Sequence, residues 1–322
     1  MFKYSVCLFF PMVKTLVTGG AGFIGSHIVD ALLAKGHEVV IFDNLSSGQT
    51  ENVHEKAILV TGDITNKEQV ADTFALHTFD YIYHVAAQIN VRTSVTNPQF
   101  DTTVNLIGLL NILESARAQT QPVKKVIFSS SGGAIYGDGV LVPTPESEKE
   151  APISPYGIAK LASEKYLYFY MKQYNIPFVA LRYANVYGPR QNPKGEAGVI
   201  SIFATRMLTD EGVMINGEGR QTRDYVYVKD VVAANICALE VNYGIYNIGT
   251  GVQSSVVDIY TYMATILNVK AVPIHGPALQ GEQKVSCLDA AAFTKQTQWT
   301  PKYTITEGLK ETCAWFEKQN NV

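Results

Sequence analysis

The sequence has little charge, no excess of basic residues and no long apolar run, and each of these absences excludes a class of protein. Charged residues make up 17% of the 322 residues and hydrophobic residues 47%, so the chain can bury enough apolar surface to fold and is not a disordered linker. The formal net charge is −3, whereas a nucleic-acid-binding domain normally carries a basic surface. The longest apolar run, residues 4–13, is about ten residues long and is interrupted by Pro11, so it is too short to span a membrane.

Cysteine is also scarce. The chain has four widely separated cysteines and no C-x-x-C pair: Cys7, Cys237, Cys287 and Cys313. We therefore expect free thiols in a reducing compartment, which predicts a cytoplasmic location. At roughly 150 residues per domain, the length predicts two domains with a core that needs no disulfide or metal. Residues 1–11 precede Met12, an alternative start, and are expected to form a dispensable tail, with a packed extension as the alternative.

Short β-rich runs alternate with helical patterns in the first half of the chain. The Val-, Ile- and Phe-rich runs predict strands at residues 13–18, 38–43, 57–62, 80–85 and 124–130. Helical patterns occupy residues 23–35, 99–119 and 154–174. Near-continuous apolar strands that alternate with helices are typical of a parallel sheet covered on both faces, so we predict an α/β fold with a doubly wound parallel sheet.

The pattern changes after residue 184, where Gly, Pro and Asn accumulate and the elements become shorter. This change predicts a main domain over residues 12–184 and a smaller C-terminal substrate domain over residues 185–322. Two β-rich runs of the second part, residues 225–228 and 246–248, are predicted to return to the main sheet. The two long helical patterns are so apolar all round that we expect them to be buried on the sheet and in a four-helix bundle between two subunits.

A glycine-rich segment, TGGAGFIG at residues 18–25, follows the first strand and opens a helix. It fits G-x-G-x-x-G when read from Gly20 and G-x-x-G-x-x-G when read from Gly19. Such glycines let the backbone approach a pyrophosphate at a helix N-terminus, where free N–H groups favour anions. Asp43 ends the next strand, and its carboxylate can accept both ribose hydroxyls but would repel a 2′-phosphate. We therefore predict that residues 12–184 form a Rossmann-type domain that binds NAD rather than NADP.

Two further polar residues end strands of the predicted sheet. Asp63 follows the third strand and is predicted either to hold an adenine amino group or to cap a helix. His84 ends the fourth strand and has no second histidine at a ligand spacing, so we interpret it as a core histidine and predict no metal site. The small residues Ala86 and Ala87 that follow would let the backbone lie against the cofactor.

Tyr156 and Lys160 lie four residues apart at the start of a predicted helix, which places them on one helix face. Pro155 after Ser154 supports this helix start. A phenol is a poor base, but an ammonium and an oxidised nicotinamide ring nearby both favour the phenolate. Lowering the pKa by about 3 units needs roughly 4 kcal/mol and would let Tyr156 exchange a proton with a substrate hydroxyl near neutral pH. Serines 129–131 end the fifth strand, at the sheet edge where α/β proteins bind ligands.

The order of these motifs resembles the extended short-chain dehydrogenase/reductase family, and within it the group of UDP-glucose 4-epimerases. The matching segments are TGGAGFIGSH (18–27), DNL (43–45), GDI (62–64), HVAAQ (84–88), SSSGGAIYG (129–137), SPYGIAK (154–160), RYANVYGPRQ (182–191) and GRQTRDYVYVKDV (219–231). The resemblance extends from about residue 13 to the C-terminus. It implies a bound NAD, a UDP-sugar substrate and a homodimer, with no nucleic-acid or membrane partner.

The resemblance also implies a mechanism. Tyr156 takes the proton of the sugar 4-hydroxyl while a hydride leaves C4 for the nicotinamide, Ser131 supports the reacting oxygen, and Lys160 holds the nicotinamide ribose. The 4-keto sugar then turns over in its pocket and receives the hydride on its other face. The net result is inversion at C4 without net oxidation.

The resemblance assigns further residues to cofactor and substrate. The expected cofactor-binding residues, besides Tyr156 and Lys160, are Gly19, Gly22, Phe23, Ile24, Gly25, Asp43, Asn44, Asp63, Ile64, Ala86, Ala87, Gln88, Asn105 and Ser129. The expected substrate-binding residues are Ser131, Tyr156, Asn185, Val199, Arg223 and Glu282. Ser130 is the alternative to Ser131, because the glycine pair that follows lengthens the segment. For Arg220 and Asp224, a role at the site and a solvated loop charge are left open.

Two positions depart from the family pattern or bear on specificity. Leu279 stands where many relatives have an arginine that pairs with the diphosphate. Without that arginine, Arg223 is expected to bind the diphosphate with Lys284 as the one further cation. Ser286 is expected beside the C2 substituent of the sugar, where a small residue leaves room for an N-acetyl group. The alternatives are a UDP-glucuronate 4-epimerase that uses Arg92, a 4-keto-sugar reductase, and a non-catalytic dinucleotide sensor.

Overall fold

The computed structural model describes residues 12–193, 198–270, 272–278 and 283–320. The expected tail at residues 1–11, together with Leu279 and Glu282, lies outside the described residues. The main sheet has seven strands: β1 (Lys14–Thr18), β2 (Glu38–Asp43), β3 (Ile58–Thr61), β4 (Tyr81–His84), β5 (Lys125–Ser131), β6 (Phe178–Tyr183) and β10 (Gly244–Ile248). All neighbouring strands pair in parallel, in the order β10-β6-β5-β4-β1-β2-β3. The chain therefore has the doubly wound α/β fold that the sequence predicts.

Helices cover both faces of the main sheet. The helices are α1 (Phe23–Ala34), α2 (Lys67–Leu76), α3 (Val91–Thr96), α4 (Pro98–Thr102), α5 (Gly108–Ala118), α6 (Gly132–Ile135), α7 (Pro155–Tyr174), α8 (Val199–Leu208), α9 (Val228–Cys237), α10 (Val256–Ile266), α11 (Ala291–Thr297) and α12 (Ile305–Asn320). Apolar residues of α2, α5 and α7 form a core on one face, and those of α1 and α9 form a core on the other. Burial on both faces explains why the strands are apolar throughout and do not alternate.

The strand predicted at residues 225–228 does not return to the main sheet, so that prediction is wrong. Residues 225–227 of the run lie in β9 (Thr222–Tyr227), and Val228 begins α9. β9 pairs with β7 (Asn185–Tyr187), β11 (Gln253–Ser255) and β13 (Val285–Ser286). Apolar composition shows that a strand is buried but does not specify which sheet buries it. The run at residues 246–248 does join the main sheet, as the last residues of β10 beside β6. A two-stranded sheet pairs β8 (Met214–Asn216) with β12 (Ile274–Gly276).

The second half of the chain is also tied to the main sheet by a buried lysine. Lys125 at the start of β5 is 7% exposed, and its ammonium donates hydrogen bonds to the carbonyl oxygens of Ala238 (3.2 Å), Leu239 (2.6 Å) and Val241. These carbonyls follow α9, and the helix C-terminus is where a cation is favoured. β10 follows directly, so the lysine fixes the edge of the main sheet at which the second half of the chain enters it.

The helical pattern at residues 99–119 is not one α-helix. It comprises α4, a π-helical segment (Thr103–Ile107) and α5. A π-helical turn takes up one extra residue, and the apolar period alone cannot show such a change. The segment carries Asn105, which is 2% exposed and faces the interior. The prediction of one continuous α-helix over residues 99–119 is therefore wrong at the π-helical segment, which carries the candidate site residue Asn105.

α7 begins and ends where its sequence indicates. The Ser154 hydroxyl accepts the N–H of Gly157 at 3.2 Å, and Pro155 occupies the first turn, where its missing N–H costs nothing. Asn175 ends the helix in the left-handed conformation at φ 56°. Gly157, Ala159, Lys160, Ser163 and Glu164 are buried. This capping fixes the position of the first turn, which carries Tyr156.

Candidate active site

The turn between β1 and α1 admits only glycine at two positions. Gly19 has φ +71°, and a Cβ there would lie 2.7 Å from the amide nitrogen of Ala86. A Cβ on Gly25 would lie 2.1 Å from the carbonyl oxygen of Gly19. α1 begins after Gly22 without a side-chain cap, so the turn presents backbone N–H groups at a helix N-terminus. Phe23 and Ile24 form the first turn of this helix, as expected of residues that contact a pyrophosphate through their backbone.

Asp43 is held at this turn by two backbone amides. Its Oδ2 accepts the N–H of Ala21 at 3.0 Å and its Oδ1 that of Leu45 at 2.9 Å. The buried carboxylate lies at the carboxyl end of β2, next to β1. Its position is therefore suited to the ribose hydroxyls of a dinucleotide on the glycine turn.

Asp63 is joined to this region by Asn44, whose side-chain amide donates to its Oδ2 at 2.9 Å. Burial acts to raise the pKa of Asp63, but hydrogen bonds from Thr65 and Asn44 hold it below its usual range. The alternative that Asp63 caps a helix is wrong, because Asn66 caps α2 by accepting the N–H of Gln69. Ile64 is buried in the core against α5, so its side chain supports this loop.

The segment after β4 is fixed by a closed set of hydrogen bonds. The N–H of Gln88 donates to Oδ1 of Asn105 at 3.0 Å, and Nδ2 of Asn105 donates to the carbonyl oxygen of Gln88 at 2.9 Å. Ala86 donates its N–H to the carbonyl oxygen of Thr18, which places the segment against the glycine turn, and Ala87 lies between these two anchors. The side chain of Asn105 is thus engaged within the chain.

His84 is a core histidine, as the sequence predicts. Its Nδ1 lies 3.0 Å from the Thr18 hydroxyl, and its ring stacks on Phe128 at 6.0 Å between centroids. Burial and the charge of Lys160 lower the pKa of His84 to about 3, so the ring is neutral. Among the described residues, no cluster of His, Cys, Asp or Glu is suited to hold a metal ion.

Tyr156, Ser131 and Lys160 meet at the carboxyl end of β5. Tyr156 and Ser131 line one pocket, and Ser131 acts to lower the pKa of the phenol. The Lys160 ammonium donates to the carbonyl oxygen of Ser129 at 2.8 Å and lies 5.8 Å from the centroid of the Tyr156 ring. The Ser130 hydroxyl instead donates to Oε1 of the buried Glu164 at 2.7 Å. Of the two serines left open by the sequence, the geometry favours Ser131 as the partner of the phenol.

The residues of the chain, without the cofactor, raise the pKa of Tyr156. Burial of the phenol raises its pKa to about 12, with the Ser131 hydrogen bond acting against this and Asp101 adding to it. Burial lowers the pKa of Lys160 to about 8, while Asp101 and Glu164 act to raise it. The residues of the chain therefore keep Lys160 largely cationic near pH 7 but do not by themselves make Tyr156 a phenolate.

A pocket of about 200 Å³ opens beside these residues. It is lined by Val91, Ser131, Gly133, Ala134, Tyr156, Tyr183, Ala184, Asn185, Arg223 and Gln283. The structure thus brings together four predicted site residues from four elements of the chain: Ser131 on β5, Tyr156 on α7, Asn185 on β7 and Arg223 on β9. Val199 starts α8 and does not line the pocket. The sequence reasoning missed Tyr183, Ala184 and Gln283, although the first two could have been found at the carboxyl end of β6, where ligands bind.

Neighbouring charges on and before β9 have different roles. Asp224 is buried, and its carboxylate accepts the N–H groups of Thr250 (2.9 Å) and Gly251 (3.1 Å), so it holds a loop and is not a solvated charge. Arg220 is exposed and pairs with the exposed Glu218 at 3.0 Å, which favours a solvated loop charge. Arg223 lies between them in sequence and lines the pocket.

These residues fit a dinucleotide that extends from the glycine turn to Tyr156. The turn tolerates no Cβ at Gly19 or Gly25, as a backbone surface against pyrophosphate requires. Asp43 would hold the adenosine ribose, and the Lys160 ammonium would hold the nicotinamide ribose. When bound, NAD supplies a hydride acceptor and a cationic ring at the pocket.

Known proteins resemble this chain over nearly its whole length. Residues 15–249 match the model of the NAD dependent epimerase/dehydratase family. The chain is 40% identical over 315 residues to the UDP-glucose 4-epimerase of Mycolicibacterium smegmatis, covering 96% of this chain and 100% of the relative.

No described helix is both long and apolar enough to cross a membrane.

Solved structures give the same result. The UDP-glucose 4-epimerase of Thermotoga maritima, solved with UDP-glucose, has 46% identity and a TM-score of 0.93 over 96% of this chain and 100% of that one. The UDP-glucose 4-epimerase of Thermus thermophilus, solved with NAD, has 40% identity and a TM-score of 0.89 over 94% of this chain and 99% of that one.

The glycine turn yields a direct test. Replacing Gly25 by alanine places a Cβ 2.1 Å from the Gly19 carbonyl oxygen and must displace the turn. We expect the NAD content of purified Gly25→Ala protein to fall to about a tenth or less, because the pyrophosphate loses its backbone surface. The measurement is NAD released on denaturation, with thermal unfolding recorded alongside. Gly133→Ala is the matched control, since its Cβ would meet only the Ser286 hydroxyl, at 3.8 Å. Equal NAD contents in the two variants would contradict this assignment.

Proposed function

Because the chain belongs to the NAD dependent epimerase/dehydratase family, we propose that it is a UDP-sugar 4-epimerase that interconverts UDP-glucose and UDP-galactose. The observation that carries this proposal is a single pocket whose lining includes Tyr156, Ser131 and Arg223. An acid–base pair for a sugar hydroxyl and a cation for a diphosphate thereby face one cavity. The full-length similarity to UDP-glucose 4-epimerases supports the choice of sugar.

Tyr156 is the proton acceptor for the sugar 4-hydroxyl and later returns the proton. Ser131 lines the pocket beside the phenol, so its hydroxyl can hydrogen-bond the same sugar oxygen. Lys160 is held by the Ser129 carbonyl, which fixes its ammonium beside the phenol. The chain alone leaves the pKa of Tyr156 near 12, so formation of the phenolate needs a further positive charge, which the oxidised ring of NAD provides.

Substrate binding falls to residues of the second half of the chain. Arg223 binds the UDP diphosphate through charge-assisted hydrogen bonds, and Asn185 contacts the sugar or the phosphates from β7. Gln283 lines the same wall, and its amide donates to the carbonyl oxygen of Gly137 at 2.8 Å. Residues 12–184 serve mainly the cofactor and residues 185–322 mainly the nucleotide sugar, and the protein acts in the cytoplasm.

Turnover without added cofactor separates this function from its alternatives. Purified protein is incubated separately with UDP-glucose, UDP-GlcNAc and UDP-glucuronate. We expect UDP-glucose to be converted to its C4 epimer without added cofactor, because the bound NAD suffices for turnover. We expect Tyr156→Phe to lower kcat about 10²- to 10⁴-fold, the usual contribution of general acid–base catalysis, while NAD content is retained. Product separation and NAD assay measure both effects. Tyr262→Phe, on a half-exposed tyrosine of α10, is the matched control. Turnover that occurs only with added NADPH would indicate a reductase. The absence of any turnover would indicate a non-catalytic dinucleotide sensor.

Room at the end of the sugar pocket predicts a broader substrate range. Ser286 on β13 is paired with Arg223 on β9, and its hydroxyl lies beside Gly133, which lines the pocket. A Cβ on Gly133 would meet no other atom within 4 Å, so this corner of the pocket is open. A small side chain and a glycine therefore leave space for an N-acetyl group on the sugar.

We predict that the wild-type chain also epimerises UDP-GlcNAc and that Ser286→Tyr removes this ability. The tyrosine ring fills the corner, so kcat/KM for UDP-GlcNAc should fall at least about tenfold relative to UDP-glucose. Ser286→Ala keeps the space and is the control. The idea fails if wild-type protein does not use UDP-GlcNAc or if the tyrosine leaves the ratio unchanged.

An exposed apolar surface supports the homodimer. Ile158, Tyr166 and Phe169 are exposed on one face of α7, and Phe100 and Ile107 are exposed on the neighbouring helical segments. These residues are the part of the two helical patterns that the chain itself leaves uncovered, as the expected burial against a second subunit requires. Contiguous apolar surface of this kind marks an interface, and two copies of the two segments would form a four-helix bundle.

We expect light scattering to give a dimer at micromolar concentration and Phe169→Asp to give a monomer, because a carboxylate cannot be buried unpaired in the bundle. Val272→Asp, at an exposed residue distant in sequence from these helices, should remain dimeric. A monomeric wild-type protein would contradict the proposal.

A further inference from the structure

Asp101 is a fully buried carboxylate that none of the roles above uses. It lies on α4 with 0% of its surface exposed. Its Oδ1 accepts hydrogen bonds from Nε2 of Gln88 at 2.8 Å and Nδ2 of Asn105 at 3.0 Å. Its Oδ2 has no hydrogen-bond partner among the described residues. A buried polar atom without a partner destabilises the folded state, so a residue that is merely structural would not need to be an acid here.

The elements around Asp101 bring it close to the catalytic helix. α4 and the π-helical segment both pack against α7, which carries Tyr156 and Lys160. The hydroxyl of Ser163 on α7 donates to the carbonyl oxygen of Asn105 at 3.2 Å, which joins the two layers directly. The carboxylate therefore lies in the low-dielectric layer between the cofactor segment and the catalytic residues, where a charge acts over a longer distance than in water.

Burial raises the pKa of the Asp101 carboxyl, and Lys160 is the cation whose charge acts to lower it. α7 presents Tyr156, Lys160 and Glu164, and α3 presents Arg92, whose side chain is exposed. Glu164 is matched by Arg182, which donates to both of its carboxylate oxygens at 2.9 and 2.6 Å. The hydrogen-bond donors to Asp101, by contrast, are two neutral side-chain amides. The π-helical segment contributes no titratable side chain.

We propose that Asp101 is a positioning residue with two effects: its charge keeps the buried Lys160 in the ammonium form, and its Oδ1 fixes Gln88 and Asn105 in the cofactor segment. The charge effect rests on contacts and burial within the chain and holds whatever the sugar is. Only the activity arm of the test below rests on the proposed function.

The sign of the effect can be stated for both groups. Burial lowers the pKa of Lys160 to about 8 and raises that of Tyr156 to about 12, and the charge of Asp101 acts to raise both. Removing the charge therefore lowers both pKa values. Lys160 loses its proton at a lower pH, and the phenol ionises at a lower pH.

The test compares wild-type protein with Asp101→Asn, which keeps the shape and the Oδ1 acceptor but removes the charge. Protein labelled with ¹³C at the lysine ε-carbons is titrated by NMR, and the Lys160 signal is assigned by its loss in Lys160→Arg. We expect the Lys160 midpoint to fall by about one pH unit, the lower end of nearby-charge effects. In the activity arm, both limbs of the kcat–pH profile for UDP-glucose should move to lower pH. A structural role would lower kcat equally at every pH.

Asp72→Asn removes the same charge from an exposed site on α2 and should leave the Lys160 midpoint in place. Asp101→Ser, which leaves space for a water molecule, is the second neutral variant if Asp101→Asn does not fold. An unchanged midpoint in a folded neutral variant overturns the proposal, as does failure of both variants to fold, because Asp101 would then serve the fold alone. An inactive wild-type protein overturns the proposed function, while the NMR titration still decides the role of Asp101.

Discussion

The hydrogen bond from the buried Lys160 ammonium to the carbonyl oxygen of Ser129 is the interaction on which the site depends. It joins the first turns of α7 to the carboxyl end of β5, so the positions of Tyr156 and Ser131 follow from it. An ammonium remains charged in such a place only when its surroundings offset the cost of burial. Here the carbonyl group, the face of Phe128 at 4.8 Å and the carboxylates of Asp101 and Glu164 share that task.

The same helix, α7, is also held by a buried ion pair between Arg182 and Glu164. Arg182 on β6 is 1% exposed, and it binds Glu164 through two hydrogen bonds and Tyr136 through a third at 2.9 Å. Breaking a buried pair on one side leaves an uncompensated charge, which makes its geometry strongly determined. Ser130 belongs to this network through Glu164, whereas Ser131, one residue further along the alternating strand, faces the pocket.

The sequence was informative where a residue type has one physical reason to be present. The glycine turn, Asp43 and the α7 start at Ser154 were each predicted correctly in position, because backbone approach, a strand-end carboxylate and a helix cap leave local signatures. The π-helical segment and the partner sheet of β9 were not, since both depend on packing between distant segments. The four-residue spacing of Tyr156 and Lys160 also cannot show that the phenol is buried, which raises its pKa to about 12 in the chain alone.

The position of β10 at the edge of the main sheet has a consequence for how the chain folds. This strand comes from the second half of the sequence, pairs with β6 along five residues, and is anchored by Lys125 at the preceding turn. The two halves of the chain consequently share the main sheet and the core on one of its faces. We therefore expect them to unfold together in one cooperative transition. Synthesis of the first half alone would leave β6 as an open edge strand with unpaired backbone groups, a surface prone to association with other chains until the later strand arrives.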